Sequence, residues 1–75
     1  MSLLSELPLK QSARVVQIQH DPAGHWRKLS ALGLVPGVQI VLVQRFPTFV
    51  VQVGHSLVAI DRHLASLVQV EPLGC

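Results

Sequence analysis

Apolar residues in this chain fall into short runs rich in β-branched side chains, separated by polar or glycine-containing breaks. The clearest run, at residues 38–43, is almost uninterrupted, which is typical of a short strand covered on both faces. Four other segments have the length and composition of strands. The pattern therefore predicts five strands, at residues 13–20, 38–45, 49–53, 56–60 and 67–70.

One segment between the first two strands has the signals of a helix. Asp21 can cap a helix, and Pro22 can occupy its first turn without the loss of a needed donor. Leu29 and Leu32 lie three residues apart and share one helical face. Gly33 can adopt the left-handed conformation that ends a helix. These signals predict a helix that runs to Leu32.

Tight turns account for most of the other breaks. The segment Val35-Pro36-Gly37-Val38 suits a type II turn, because proline presets the first central φ and glycine tolerates the positive second one. Gly54-His55 links the third and fourth strands and fits a type II′ hairpin. A single helical turn is predicted from Asp61 to Leu64, before the last strand.

Five short strands and one inserted helix can bury their apolar faces only by curling round a shared core. We therefore predict a mainly β fold: a small five-stranded barrel with one inserted α-helix and a short helical turn before the last strand. The pattern alone does not distinguish one kind of five-stranded barrel from another.

Residues 29–37 have the sequence L-x-x-L-G-L-x-P-G, and an apolar strand follows them. This segment resembles the signature of the FeoA family. The strand at residues 13–18, the R-x-P step Arg45-Phe46-Pro47 and the ending at residues 58–70 resemble the family pattern in the same order. The resemblance covers residues 7–70, and it implies a stand-alone FeoA protein with an SH3-like barrel.

The chain departs from the family pattern in two places. Lys10 and Gln11 stand where a glycine turn before the first strand is frequent. The segment after Pro47 leads almost directly into Phe49, where many relatives have a longer loop. Neither difference affects the strands of the predicted barrel.

The resemblance also implies a function. FeoA proteins are small cytosolic components of bacterial ferrous iron uptake, thought to bind the cytoplasmic part of the membrane GTP-binding transporter FeoB. This chain is thus expected to be a cytoplasmic accessory protein that supports or regulates transport. The implied partner-binding residues lie on the helix and the turn after it: Arg27, Leu29, Leu32, Gly33, Leu34, Pro36 and Gly37. Helix ending and core packing are the alternative explanation for the leucine, glycine and proline residues among them.

The competing function is that of a metal-responsive regulatory domain, because similar SH3-like domains are fused to iron-dependent transcriptional repressors. Those repressors carry a DNA-binding domain in the same chain, and 75 residues leave no room for a helix-turn-helix beside the barrel. Such a domain would act through a partner or through self-association. Exposed strand edges and a weakly charged surface favour a homodimer.

Composition limits the class of protein. A chain of this length is expected to form one domain over residues 1–75, with a small core. With 49% hydrophobic and 13% charged residues, it is too apolar to be disordered, and some apolar surface is expected to meet a partner. No apolar run approaches the roughly 20 residues that span a bilayer, so no membrane insertion is expected. The single cysteine, Cys75, allows no internal disulfide, which favours the cytoplasm, and we assign it no role.

Nucleic-acid binding is not expected from the charge distribution. The net charge is only +2, and the basic residues are scattered along the chain. The three aromatic residues are Trp26, Phe46 and Phe49, which are too few for a set of stacking platforms. Trp26 is interpreted as a lid over the core, with an exposed anchor for a partner as the alternative.

Catalytic groupings are missing from the sequence: no Ser-His-Asp or Cys-His set is indicated by spacing, and no glycine-rich phosphate loop occurs. We therefore expect a protein that is not an enzyme and requires no cofactor. His20 and His25 flank the start of the helix, where their side chains could converge on a divalent transition metal. No two histidines stand four residues apart, so solvated imidazole is the alternative, especially for His55 and His63.

Overall fold

The computed structural model describes residues 2–73, and Cys75 lies outside them. Within those residues the chain forms six strands, two short α-helices and a 3₁₀ turn. The strands are β1 (Ser2–Leu3), β2 (Ser12–Ile18), β3 (Gln39–Gln44), β4 (Phe49–Val53), β5 (Ser56–Ile60) and β6 (Val68–Pro72). The helices are α1 (His25–Ala31) and α2 (Arg62–Ala65), and the 3₁₀ turn covers Leu4–Glu6.

All strands belong to one antiparallel sheet, in the order β1-β6-β2-β3-β4-β5. β6 lies between β1 and β2, so the end of the chain pairs with two segments from its beginning. The register shifts between Val15 and Gln17 in β2, and between Leu42 and Gln44 in β3. Irregularities of this kind bend a strand and increase its twist, which lets the sheet curl round a core.

The core is a single cluster of apolar side chains, to which β2 to β6, both helices and the 3₁₀ turn contribute. Its largest fully buried members are Leu4, Leu7, Val15, Leu29, Leu34, Ile40, Leu42, Val51, Val68 and Val70. Truncation of one such leucine to alanine in a well-packed core costs roughly 2–5 kcal/mol of folding free energy. The core therefore holds the inserted helix firmly against the sheet.

The predicted mainly β fold with one inserted helix and a late helical turn is confirmed. The structure adds β1, in which Ser2 pairs with Val70 and Leu3 with Gln69. A strand of two residues is too short to show an alternating pattern, so the sequence contains no signal for it. Gly54 has a φ of 62° at the first position of the β4–β5 turn, as a type II′ hairpin requires.

α1 begins later than the sequence suggests. The Asp21 carbonyl accepts a hydrogen bond from the Gly24 N–H at 3.1 Å, which closes a turn over Pro22 and Ala23. Gly24, with a φ of 77°, then occupies the N-cap position, and the first helical residue is His25. Asp21 still acts on the helix, because its Oδ1 accepts a hydrogen bond from the His25 backbone N–H at 2.8 Å. Its carboxylate thus caps α1 from outside the helix.

Candidate partner face and metal centre

α1 ends in a Schellman motif, in which two backbone bonds close the last turn. The Gly33 N–H donates to the Ser30 carbonyl at 3.0 Å, and the Leu34 N–H donates to the Leu29 carbonyl at 3.0 Å. Gly33 has a φ of 92°, a conformation that carries a steric penalty for residues with a Cβ. The L-x-x-L-G-L pattern is therefore explained in part by this helix ending.

The turn after α1 is fixed to strand β2. The Val38 N–H donates to the Val35 carbonyl at 3.2 Å, and Gly37 has a φ of 95°, as the predicted type II turn requires. The Gly37 N–H donates to the Val15 carbonyl at 2.7 Å, and the Val15 N–H donates to the Val38 carbonyl at 2.8 Å. The turn is thus tied to Val15 of β2 by two backbone hydrogen bonds.

Four of the predicted partner-binding residues have little accessible side-chain surface. Leu29 and Leu34 have no exposed surface, so their side chains position the corner and cannot touch a partner in this conformation. Leu32 and Gly33 are half-buried. Leu29 and Leu34 belong to the core, and Leu32 packs against it, so these leucines contribute to the fold of this segment.

The remaining predicted residues, Arg27, Pro36 and Gly37, are exposed. Val35, which precedes Pro36 in the chain, is a further exposed residue that the sequence pattern does not single out, with 37% of its surface exposed. We call these four residues the signature corner. It presents apolar surface and one positive charge to solvent.

An open groove of about 490 Å³ lies beside α1. Its lining residues are Gln17, Ile18, Gln19, His20, Trp26, Ser30 and Pro36. Ile18, Trp26 and Pro36 form apolar walls, and amide, imidazole and hydroxyl groups complete the rim. Because Pro36 belongs to both, this α1 groove is continuous with the signature corner.

Trp26 connects the groove to the core. Its indole is partly buried against the core cluster, and its ring centroid lies 4.6 Å from that of His20 at an interplanar angle of 40°. The Arg27 guanidinium carbon lies 5.3 Å from the same indole centroid, within the range of a cation–π contact. Trp26 therefore serves as a packing residue, and it also lines the groove and orients Arg27.

A second cluster of side chains lies at the start of α1. The Asp21 Oδ2 is 2.5 Å from His25 Nδ1, while the other carboxylate oxygen caps the helix. The hydrogen bond from the His25 side chain is the largest factor that holds the pKa of Asp21 below its ordinary value of 3.8, although partial burial opposes it. Both side chains are half-buried and held in place by these contacts.

His63 completes this cluster from α2. Its ring centroid lies 5.1 Å from that of His25, and the two rings are nearly perpendicular, at 81°. Asp61 caps α2 by accepting the Leu64 N–H at 2.8 Å, which fixes the short helix that carries His63. One ligand atom from each of Asp21, His25 and His63 lies within 4.8 Å of the others. Imidazole nitrogen together with carboxylate oxygen is a donor set that suits transition metals.

The two histidines proposed from the sequence lie in different surroundings. His25 belongs to the cluster with Asp21 and His63, whereas His20 packs against Trp26 and lines the α1 groove. The sequence did contain one signal for this cluster, since Asp21 and His25 stand four residues apart. His63 lies 38 residues beyond His25, so only the fold brings the two together.

A small, mainly β chain with a curled antiparallel sheet and one inserted helix belongs to the SH3-like class of folds. The FeoA domain model matches residues 2–72. The chain therefore belongs to the FeoA family, whose members are accessory proteins of ferrous iron transport. No curated protein matches the chain significantly.

Solved structures of FeoA proteins are similar along nearly the whole chain. A zinc-complexed FeoA from Stenotrophomonas maltophilia, described as an SH3 domain protein, is 35% identical, with a TM-score of 0.83. The match covers 95% of this chain and 91% of that one. A FeoA described as an iron uptake regulatory protein is 31% identical over 93% of each chain, with a TM-score of 0.84.

The fold also occurs within a larger regulator. A manganese-dependent transcriptional repressor has a TM-score of 0.85 at 18% identity, and the match covers 96% of this chain but only 41% of the repressor. At this identity the similarity concerns the fold alone. Among the described residues, no helix has the length and hydropathy needed to cross a bilayer.

Proposed function

We propose that this chain is a cytoplasmic accessory protein of ferrous iron uptake. In this proposal residues 1–75 act as one domain that binds the cytoplasmic part of a FeoB-type GTP-binding transporter. Its role is to support or regulate transport through contact, without a catalytic step and without a required cofactor. Family membership supports the pathway, and the α1 groove with its signature corner supports the mode of action.

The observation that carries the proposed contact is the cation–π contact between Arg27 and Trp26, a residue that lines the α1 groove. The groove offers apolar walls from Ile18, Trp26 and Pro36, and the Arg27 guanidinium is oriented at its edge by Trp26. A surface of this chemistry suits a segment that carries apolar side chains followed by a carboxylate. The fixed turn and helix ending provide a rigid surface, which lowers the entropic cost of binding.

A retention assay tests the proposal directly. The isolated cytosolic domain of the transporter, or the solubilised transporter, is immobilised and exposed to the protein at micromolar concentration, with and without GTP and ferrous ion. Specific retention is expected, and any dependence on nucleotide identifies the transporter state that binds. Absence of retention under all four conditions would overturn the proposal.

Charge reversal at Arg27 identifies the surface. Arg27→Glu should weaken retention about tenfold, because it replaces the positive group at the groove edge with a repulsive one. Arg14→Glu is the matched control, since Arg14 is exposed on β2 and does not belong to the signature corner, whereas Arg27 contacts the groove residue Trp26. Equal retention of the two variants would exclude the α1 groove as the binding surface.

The second candidate function is metal-responsive self-association, and the edge of the sheet favours it. β5 ends the sheet, and its sequence Ser56–Ile60 contains no charge or proline of the kind that blocks pairing between edge strands. Leu57 on this strand is 66% exposed. Sedimentation with and without ferrous or manganous ion tests this function, and Leu57→Lys should suppress any dimer that forms through β5. A monomer under all conditions would exclude it.

A further inference from the structure

Three ligand-type side chains from two parts of the chain lie close together where the two helices meet. Asp21 precedes α1, His25 is its first residue, and His63 lies in α2. Their ligand atoms lie within 4.8 Å of one another. We propose that Asp21, His25 and His63 bind one first-row divalent transition metal ion, which ties the start of α1 to α2. This site is distinct from the α1 groove and does not depend on the proposed partner.

The donor set defines the class of ion. Two imidazole nitrogens and one carboxylate oxygen suit zinc, ferrous iron, cobalt and manganese, whereas calcium and magnesium prefer sites built from oxygen alone. Three protein ligands leave at least one coordination position for water or another ligand. The site is therefore suited to an ion that exchanges with solution.

The distances among the three ligand atoms would fit a bound ion after small movements of the side chains. Ligand atoms about 2.0–2.1 Å from a tetrahedral ion lie roughly 3.4 Å from one another. The 2.5 Å distance between Asp21 Oδ2 and His25 Nδ1 has to increase by roughly 1 Å. Ligand atoms as far apart as 4.8 Å have to approach each other by roughly 1.5 Å. His63 is exposed, so rotation of its side chain can supply the larger movement without disturbing the core.

The backbone already holds the three residues in place. Asp21 Oδ1 accepts the His25 backbone N–H, and Oδ2 contacts the His25 imidazole ring. On the other side, Asp61 caps α2, and the Ser66 hydroxyl donates to the His63 carbonyl at 2.6 Å. Such fixation of the residues that carry the ligands lowers the ordering cost of metal binding.

Calorimetric titration with zinc, and with ferrous ion under anaerobic conditions, tests the site. The untagged chain is used with Cys75→Ser in every variant, so that neither the thiol nor a histidine tag supplies a ligand. We expect one ion to bind per chain. His63→Ala and Asp21→Asn should each weaken binding at least tenfold, because the first removes a proposed ligand and the second replaces the charged carboxylate with a neutral amide.

Matched controls separate this site from general imidazole binding. His55→Ala changes the same residue type in the exposed β4–β5 turn, and it should leave the affinity unchanged. His63 is exposed, and Asn at position 21 retains an oxygen that can accept the His25 N–H, so both test variants should remain folded. Circular dichroism checks this, and zinc should raise the Tm of the parent chain and of His55→Ala but not that of His63→Ala.

Several results would overturn the proposal. They are binding of less than one ion per chain, parent-like affinity in His63→Ala or Asp21→Asn, and an equal loss of affinity in His55→Ala. His20→Ala adds a test of the pairing suggested by the sequence. If it weakens binding as much as His63→Ala does, the ion is held beside Trp26 instead, and the assignment to Asp21, His25 and His63 is wrong.

Discussion

Arg45 donates a hydrogen bond from its Nη1 to the backbone carbonyl of Leu7, which lies 38 residues earlier in the chain. Its Nη2 also donates to the Ser5 carbonyl at 3.1 Å, and the guanidinium carbon lies 5.8 Å from the Phe49 ring centroid. Arg45 thus ties the start of the β3–β4 connection to the segment that follows β1. This contact gives a structural reason for the arginine of the R-x-P step.

Arg45→Ala is expected to destabilise the fold by about 2 kcal/mol. Hydrogen bonds from a charged donor contribute roughly 1.5–3 kcal/mol each, and partial exposure of Arg45 lowers that value. The substitution leaves the carbonyls of Leu7 and Ser5 without this donor. Urea denaturation followed by tryptophan fluorescence measures the change.

Arg45→Lys should recover less than half of the stability lost in Arg45→Ala. A lysine ammonium group cannot reproduce the geometry in which the guanidinium donates to the carbonyls of both Leu7 and Ser5. Arg14→Ala is the control at an exposed position, where a change within about 0.5 kcal/mol is expected. Equal stability of Arg45→Ala and Arg14→Ala would show that the guanidinium contact contributes nothing to the fold.

The order of stability at position 33 should be glycine, then asparagine, then alanine. Gly33 has a φ of 92°, and a Cβ at this position would meet Val53 Cγ1 at 3.6 Å, an ordinary contact. The cost of Gly33→Ala therefore comes from the backbone and is expected to be about 1–2 kcal/mol. Gly33→Asn should cost less, since asparagine tolerates this conformation. Thermal denaturation of the three chains checks the order.

Gly37→Ala is a matched comparison, because Gly37 has a φ of 95° and a Cβ there would meet no atom within 4 Å. Its cost should be similar to that of Gly33→Ala. A much larger loss for Gly33→Ala would indicate that contact with Val53 matters more than the backbone conformation.

Local signals account for the parts of the fold that could be predicted from the sequence. Gly33 and Gly37 act through neighbouring residues, so the helix ending and the type II turn follow from short segments. β1 could not be predicted, because the pairing of Ser2 with Val70 depends on how the sheet curls. α1 begins later than the Asp21-Pro22 signal predicts, because the Asp21 side chain reaches the helix across the Pro22–Ala23 turn.

The two candidate sites could also be predicted from the sequence only in part. Val35, Pro36 and Gly37 of the signature corner are consecutive in sequence, but the burial of Leu29 and Leu34 depends on the barrel beneath them. In the metal cluster, His25 could be singled out from its position near the helix start. Its proximity to His63 results from the packing of α2 beside α1, which the pattern of either helix alone does not contain.

Lys10, where the chain departs from the family pattern, has an unusual backbone conformation. It has a φ of 64°, in the left-handed region that favours glycine. Lys10→Gly should therefore stabilise the protein by roughly 0.5–1 kcal/mol. Relief of about 1–2 kcal/mol of steric cost is partly offset by the greater freedom of glycine in the unfolded chain. Denaturant unfolding of the two chains measures the difference.

Lys28→Gly provides the control, because Lys28 lies within α1, where glycine costs about 1 kcal/mol. The two substitutions should thus have opposite signs. The bond from the Lys10 N–H to the Leu42 carbonyl, at 2.6 Å, is available to glycine as well. If Lys10→Gly destabilised as much as Lys28→Gly, the left-handed conformation would carry no strain.

Asp21 should also contribute to the pH dependence of stability. The His25 side chain lowers the pKa of Asp21 from 3.8 in the folded protein, so the folded state favours the ionised carboxylate. The stabilisation is present above the pKa of the unfolded chain, and it is lost as pH falls through the lower folded pKa. The relevant window therefore begins near pH 4 and extends below it.

Asp21→Asn should consequently lower stability at neutral pH and lose less stability than the parent chain as the pH falls below about 4. Urea titrations of both chains in metal-free buffer from about pH 7 to pH 3 measure the two curves, which should converge at the acidic end. His25→Gln removes the main cause of the pKa shift and supplies the other half of a double-mutant cycle. The effects of the two substitutions at neutral pH should be smaller in combination than in sum. Additive effects, or parallel pH curves, would show that the contact between Asp21 and His25 does not stabilise the charged carboxylate.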